Sequence, residues 1–206
     1  MIKAIIFDIG GVLVELDAGK CIRNFKEKCG FDRIVDFLDT CHQGGMIGAL
    51  EAGKITEEQF HDECRKYCRP GVTDAEIDEC FCSLIDTEMD LSKVSFLKEL
   101  CEKYDLFLLS NNNHITMRHI AGVMENAGVP IDGTFKDVFV SCDLKLSKPS
   151  PEIFQEVIRR SGHESAEILY VDDSPRNVEA GRNSGMAAAL YVCGTDLKST
   201  VEPFLV

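Results

Sequence analysis

Five short runs of Val, Ile, Leu, Phe and Ala punctuate the chain, at 2–7, 106–109, 138–140, 168–171 and 188–192. Apolar and polar positions barely alternate within them. A strand with one wet face alternates, so these runs predict strands covered on both faces, as in a parallel sheet. Between the later runs the apolar positions recur at helical spacing, with recognisable ends. Ser150-Pro151 and Ser174-Pro175 each offer an N-cap followed by proline at the first helical position, and Gly128 and Gly185 stand where helices should stop. Strand and helix alternate from residue 92 onward, which predicts a doubly wound α/β fold.

The stretch 15–91 has a different pattern. Strong strand signals are absent, and Thr56-Glu57-Glu58-Gln59 and Thr73-Asp74-Ala75-Glu76 both have the capping-box form that opens a helix. Phe60, Cys64 and Cys68 follow at helical spacing. The expected organisation is an α/β core of residues 1–14 and 92–206 with a helical insert at 15–91.

Composition narrows the classes. The 206 residues include 22 Lys and Arg against 35 Asp and Glu, a net charge of −13. With no basic stripe to override it, that charge opposes nucleic-acid binding, and no apolar run is long enough for a membrane span. Any phosphate site must therefore supply its positive charge locally. Asp8 interrupts the first apolar run, so no secretory leader is predicted, and the ten cysteines read as reduced, largely buried thiols of a cytoplasmic protein.

Polar residues follow the strand runs closely: Asp8 after the first, Ser110 after the second, and Asp172 with Asp173 after the fourth. Ligands of open parallel sheets bind beyond the carboxyl ends of the strands, so these groups should converge on one crevice. Lys148 joins them from the loop after the third run. Grouped carboxylates need a cation, and hard oxygen ligands suit Mg²⁺ completed by water and a phosphate. One carboxylate can also attack phosphorus to form an aspartyl phosphate, with Lys148, the Ser110 hydroxyl and the Gly10-Gly11 backbone stabilising the transferring group.

Four segments in order, FDIGGVL at 7–13, LLSN at 108–111, KPSPEIF at 148–154 and YVDDSPRNVEAGRNSGM at 170–186, resemble the motifs of the haloacid dehalogenase superfamily of aspartate-nucleophile hydrolases. EAGKITEEQF at 51–60 is similar to part of that family's helical cap. The resemblance implies Asp8 as nucleophile and the Gly10 carbonyl, Asp8, Asp172 and Asp173 as the Mg²⁺ set, Asp173 directly and Asp172 directly or through water. It implies Ser110 and the Asn111 amide as binders of phosphoryl oxygens, and Lys148 as the group that neutralises nucleophile and phosphate. The branch it is most similar to hydrolyses sugar phosphates such as glucose 1-phosphate, a small phosphorylated metabolite.

One position departs from the pattern. Most phosphatases of the superfamily carry a second aspartate two residues after the nucleophile, as general acid and base, and here that position is Gly10. Such help is worth ~10² to 10⁴ in rate. Glu15 and Asp17 are the nearby replacements, each weighed against a role as an ordinary solvated carboxylate. A phosphate-binding protein without turnover, and then a metal-independent dehalogenase, are the alternatives. His114, His119 and the His61, Cys64, Cys68 set read as helix and core residues, and Asn113 as a helix-entry residue placed to touch the ligand.

Overall fold

The computed structural model describes residues 1–37 and 45–205. Its centre is a five-stranded parallel sheet: β1 (Ala4–Phe7), β2 (Asp105–Ser110), β3 (Asp137–Val140), β4 (Ile168–Asp172) and β5 (Ala187–Leu190), in the order β3-β2-β1-β4-β5. The doubly wound expectation is borne out. The first strand starts at Ala4 rather than residue 2, and the last ends before Tyr191, whose hydroxyl donates to the Thr195 carbonyl at 2.8 Å.

Continuous apolarity has the predicted cause. Ile5 and Phe7 of β1, Leu106 and Leu108 of β2, and Leu169 and Val171 of β4 enter one buried cluster. Their neighbours Ala4, Ile6, Phe107, Leu109, Ile168 and Tyr170 enter a second on the opposite face. Both faces are sealed, so the three central strands have no wet side to code for.

Between β1 and β2 the chain forms α1 (Ala18–Asn24), α2 (Gly45–Glu51), α3 (Glu57–Arg65), α4 (Asp74–Cys82) and α5 (Leu91–Cys101). Both capping boxes form, at Thr56 with Gln59 and at Thr73 with Glu76. Phe25, Phe31, Phe60, Phe81 and several cysteines of this segment make their own apolar cluster, which Ile115 joins from across the chain, while α5 packs on the sheet through Val94, Phe96, Leu97 and Leu100.

After β2 come α6 (His114–Asn126), then α7 (Pro151–Ser161), α8 (Pro175–Asn183) and α9 (Leu197–Val201). Gly128 and Gly185, at φ +76° and +90°, follow α6 and α8 as expected. Ser150 and Ser174 occupy the N-cap positions, but neither side chain makes the capping bond. The Ser174 backbone N–H donates to Asp172 Oδ1 at 2.8 Å.

The nine described cysteines are free thiols, with Cys21, Cys29, Cys64, Cys80, Cys82 and Cys142 buried; Cys41 lies outside the described residues. Among the described residues no helix is long and apolar enough to cross a membrane.

Candidate active site

In the order β3-β2-β1-β4-β5 the chain winds outward from β1 to β3, then crosses back to β4, so the crevice beside β1 is the topological switch point. Asp8 directly follows β1, Ser110 closes β2 and Asp172 closes β4. Their convergence is therefore a consequence of strand order.

Lys148 binds the group together. Its fully buried ammonium lies 2.9 Å from Asp8 Oδ1 and 2.8 Å from Asp172 Oδ2, and donates to the Leu109 carbonyl at 3.0 Å. Burial opposes its charge, but the two carboxylates outweigh burial and hold its pKa above the ordinary lysine value. Asn111 fixes the lysine's backbone, its Oδ1 accepting from the Lys148 N–H at 2.8 Å and its Nδ2 donating to the Lys148 carbonyl at 2.9 Å. The Asn111 side chain is thus engaged in positioning Lys148.

The carboxylates differ. Burial pushes Asp8 up to about 7, with the Asp172 charge adding and Lys148 opposing, and its Oδ1 also accepts from the Ile9 N–H at 2.7 Å. Burial raises Asp172 too, yet Lys148 and a set of hydrogen bonds bring it below the usual range. Its partners are Lys148, the Tyr170 hydroxyl, the Ser174 N–H, and Asn177 Nδ2 at 3.0 and 3.2 Å. Asp173, more exposed, is raised by partial burial and by Asp172.

Asp8, Asp172 and Asp173 each offer an oxygen within 4.8 Å of one another. Three carboxylate oxygens at that spacing fit a hard divalent cation. Gly11, at φ +76°, makes the fit possible, because a Cβ there would stand 2.3 Å from Asp173 Oδ2. Gly10 lies under Leu16, whose Cδ1 would be 3.2 Å from an added Cβ.

A cleft of about 350 Å³ is lined by Gly45, Glu51, Lys54, Asn111 and Ser147 among others, and Asn111 is the predicted site residue that it shares. Glu51, the last residue of α2, is pushed up to about 8 by burial and by the Asp8 charge, against Lys148. The other candidates lie elsewhere. Glu15 accepts from Lys93 Nζ at 2.6 Å and from Cys193 Sγ at 2.9 Å, and Asp17 caps α1 through the Lys20 N–H at 2.8 Å. Asn113 caps α6, and His61 pairs with Asp78 at 2.7 Å. Tyr170 and Asn177, which bond to Asp172, and Glu51, which lines the cleft, are absent from the sequence-predicted set. Tyr170 and Asn177 lie inside the fourth motif and Glu51 opens the segment 51–60.

A parallel switch-point crevice carrying an aspartate, a lysine and an aspartate pair defines a hydrolase of the haloacid dehalogenase (HAD) type, and residues 2–185 match the model of the haloacid dehalogenase-like hydrolases. The chain belongs to that family. It is 32% identical over its full length to a D-ribitol-5-phosphate phosphatase of Bacteroides thetaiotaomicron, covering 99% of that protein. Among solved structures it is similar to a wild-type HAD family enzyme of B. thetaiotaomicron in complex with magnesium and inorganic phosphate, at TM-score 0.86 and 32% identity over 95% of this chain and 97% of that one. A HAD-like family hydrolase of Porphyromonas gingivalis is similar at TM-score 0.85 and 30% identity, over 100% and 98%.

Proposed function

We propose that this protein is a Mg²⁺-dependent phosphatase of a small sugar or sugar-alcohol phosphate, acting through an aspartyl phosphate on Asp8, with residues 15–91 as a helical cap over the core. The observation that carries the reading is Lys148, buried 2.9 Å from Asp8 and 2.8 Å from Asp172, beside a three-carboxylate group. A lysine so placed confers positive charge on a protein of net charge −13 where a phosphate needs it. The similarity to a D-ribitol-5-phosphate phosphatase supports the polyol class of substrate.

Asp8 Oδ1 is held by Ile9 and Lys148, so Oδ2 is assigned the attack on phosphorus. Asp8, Asp173 and the Gly10 carbonyl would hold Mg²⁺, with Asp172 already occupied by Lys148, Tyr170, Ser174 and Asn177 and so better suited to act through water. Bound there, the metal would neutralise charge on the transferring phosphoryl oxygens. Ser110 and the Asn111 backbone N–H, at the end of β2, would bind those oxygens, and Lys148 offsets the charge gathered on nucleophile and phosphate. The paired Asp172-Asp173 argues against metal-independent dehalogenation.

The test is phosphate release from a panel of sugar, polyol and nucleotide phosphates with Mg²⁺ and with EDTA. Release only with Mg²⁺, abolished by Asp8→Asn, is the expected result; full activity of Asp8→Asn refutes the mechanism. Tight Mg²⁺-dependent beryllofluoride binding without any turnover would instead identify a phosphate-binding protein.

A further inference from the structure

With Gly10 at the second position after the nucleophile and Leu16 packed over it, the first loop provides no proton donor. Glu15 is held by Lys93 and Cys193 and Asp17 by the N-terminus of α1. We propose that Glu51, carried on the last turn of α2, is the general acid and base of this phosphatase. The inference rests on the function proposed above.

The placement is built. The Glu51 carbonyl accepts from the Ser141 hydroxyl at 2.5 Å, and that hydroxyl, fully buried, accepts from the Asn112 N–H at 2.9 Å. The end of α2 is therefore tied to the loop that begins with Ser110 and Asn111. Two residues on, the Gly53 carbonyl accepts from Lys145 Nζ at 2.8 Å. Gly53 adopts φ +61°, and a Cβ there would stand 2.3 Å from the Cys142 carbonyl oxygen, so only glycine lets the chain seat this closely. Glu51 thus lines the cleft with Asn111 and Ser147, which flank Ser110 and Lys148 in the chain. The charges that act on its carboxyl are those of Asp8 and Lys148, the same two groups that meet the phosphate. Burial, with the Asp8 charge, raises its pKa above the ordinary glutamate value.

The chemistry balances over two steps. As Asp8 Oδ2 bonds to phosphorus and the ester P–O bond breaks, the Glu51 proton passes to the departing oxygen, which leaves as a neutral alcohol. Glu51, now a carboxylate, takes a proton from the water that attacks phosphorus. The bond to Asp8 breaks with its electron pair returning to the carboxylate, and Glu51 is again protonated.

Leaving-group dependence tests this. A polyol phosphate expels an alkoxide and needs the proton, whereas p-nitrophenyl phosphate expels a stable phenolate and does not. For Glu51→Gln, kcat/KM on ribitol phosphate falls ~10² to 10⁴-fold. With p-nitrophenyl phosphate the same variant gives a rapid burst of about one nitrophenolate per protein, then slow turnover, because the second step lacks its base. The burst also certifies a folded site with a competent Asp8, and Glu51→Ala serves as a second variant with the same expected pattern. Retention of ribitol phosphate turnover within about threefold, or equal loss on both esters without a burst, overturns the assignment. Absence of phosphate release by the wild-type protein from either ester, or full activity of Asp8→Asn, would instead overturn the phosphatase reading itself.

Discussion

Gly11 separates backbone strain from metal binding in a single comparison. At φ +76° an L-residue costs ~1 to 2 kcal/mol in the left-handed region. Alanine recovers some of this, ~0.4 to 1 kcal/mol, by restricting the unfolded chain. Gly162, which ends α7 at φ +75° with nothing within 4 Å of an added Cβ, carries the same two contributions and no others. Gly11→Ala adds one difference, a Cβ 2.3 Å from Asp173 Oδ2 and 3.0 Å from its Cγ.

Those atoms are the end of an exposed side chain, so the clash is relieved by rotating the carboxylate away rather than by moving the backbone. Both alanine variants should therefore lose a similar ~1 kcal/mol in urea denaturation without metal. Only Gly11→Ala should lose Mg²⁺ affinity, by the ~10 to 100-fold typical when a group that orients a ligand is altered. The assay is the Mg²⁺ concentration for half-maximal stabilisation by thermal shift, compared among wild type and both variants. An unchanged midpoint in Gly11→Ala refutes the view that Gly11 makes room for a metal-holding Asp173.

Three further outcomes follow from the same contacts. Lys148→Met leaves Asp8 and Asp172 buried without their shared cation, and breaking such a pair costs ~3 to 5 kcal/mol; a loss under about 1 kcal/mol in chemical denaturation contradicts the pairing. Gly181→Ala places a Cβ 2.7 Å from Tyr170 Cδ1, an overpacking worth ~1 to 3 kcal/mol, and because Tyr170 donates to Asp172 it should lower phosphatase kcat as well; wild-type stability and rate refute it. In the folded protein a thiol reagent should modify exposed Cys101 and Cys193, Cys193 the more slowly because Glu15 holds its proton. Burial pushes Cys21 and Cys80 up to about 12, so prompt labelling of either, mapped by mass spectrometry, counts against the packing described.

What was legible in the chain is what depends on local pattern. Ile5 and Ile6 enter opposite clusters, and a strand buried on both faces leaves a continuous apolar run that can be read directly. Thr56 and Thr73 were legible as caps because each closes its box within four residues. Ser174 shows where such reasoning stops: the position is an N-cap, yet its side chain makes no capping hydrogen bond. The last run shows it again: just past β5 the Tyr191 N–H still donates to the Asp172 carbonyl at 2.9 Å, while the apolar side chains of Leu190 and Val192 on either side of it are exposed.

The proton donor is the harder case. Glu15 and Asp17 recommend themselves by nearness in sequence to Asp8, yet the chain carries both into other pairings, with Lys93 and with the start of α1. Nearness along a chain is a weak guide where a tight turn reverses it, and Gly11 with its bond from N–H to the Val14 carbonyl is such a turn. Glu51 reaches the crevice through interactions that are all nonlocal: a carbonyl held by Ser141, a glycine pressed on Cys142, an ammonium from Lys145. None of these leaves a periodicity. The residues that seat the donor are small or lie in loops of the core, and so the catalytic group with the fewest local signatures is the one that the fold itself has to bring into place.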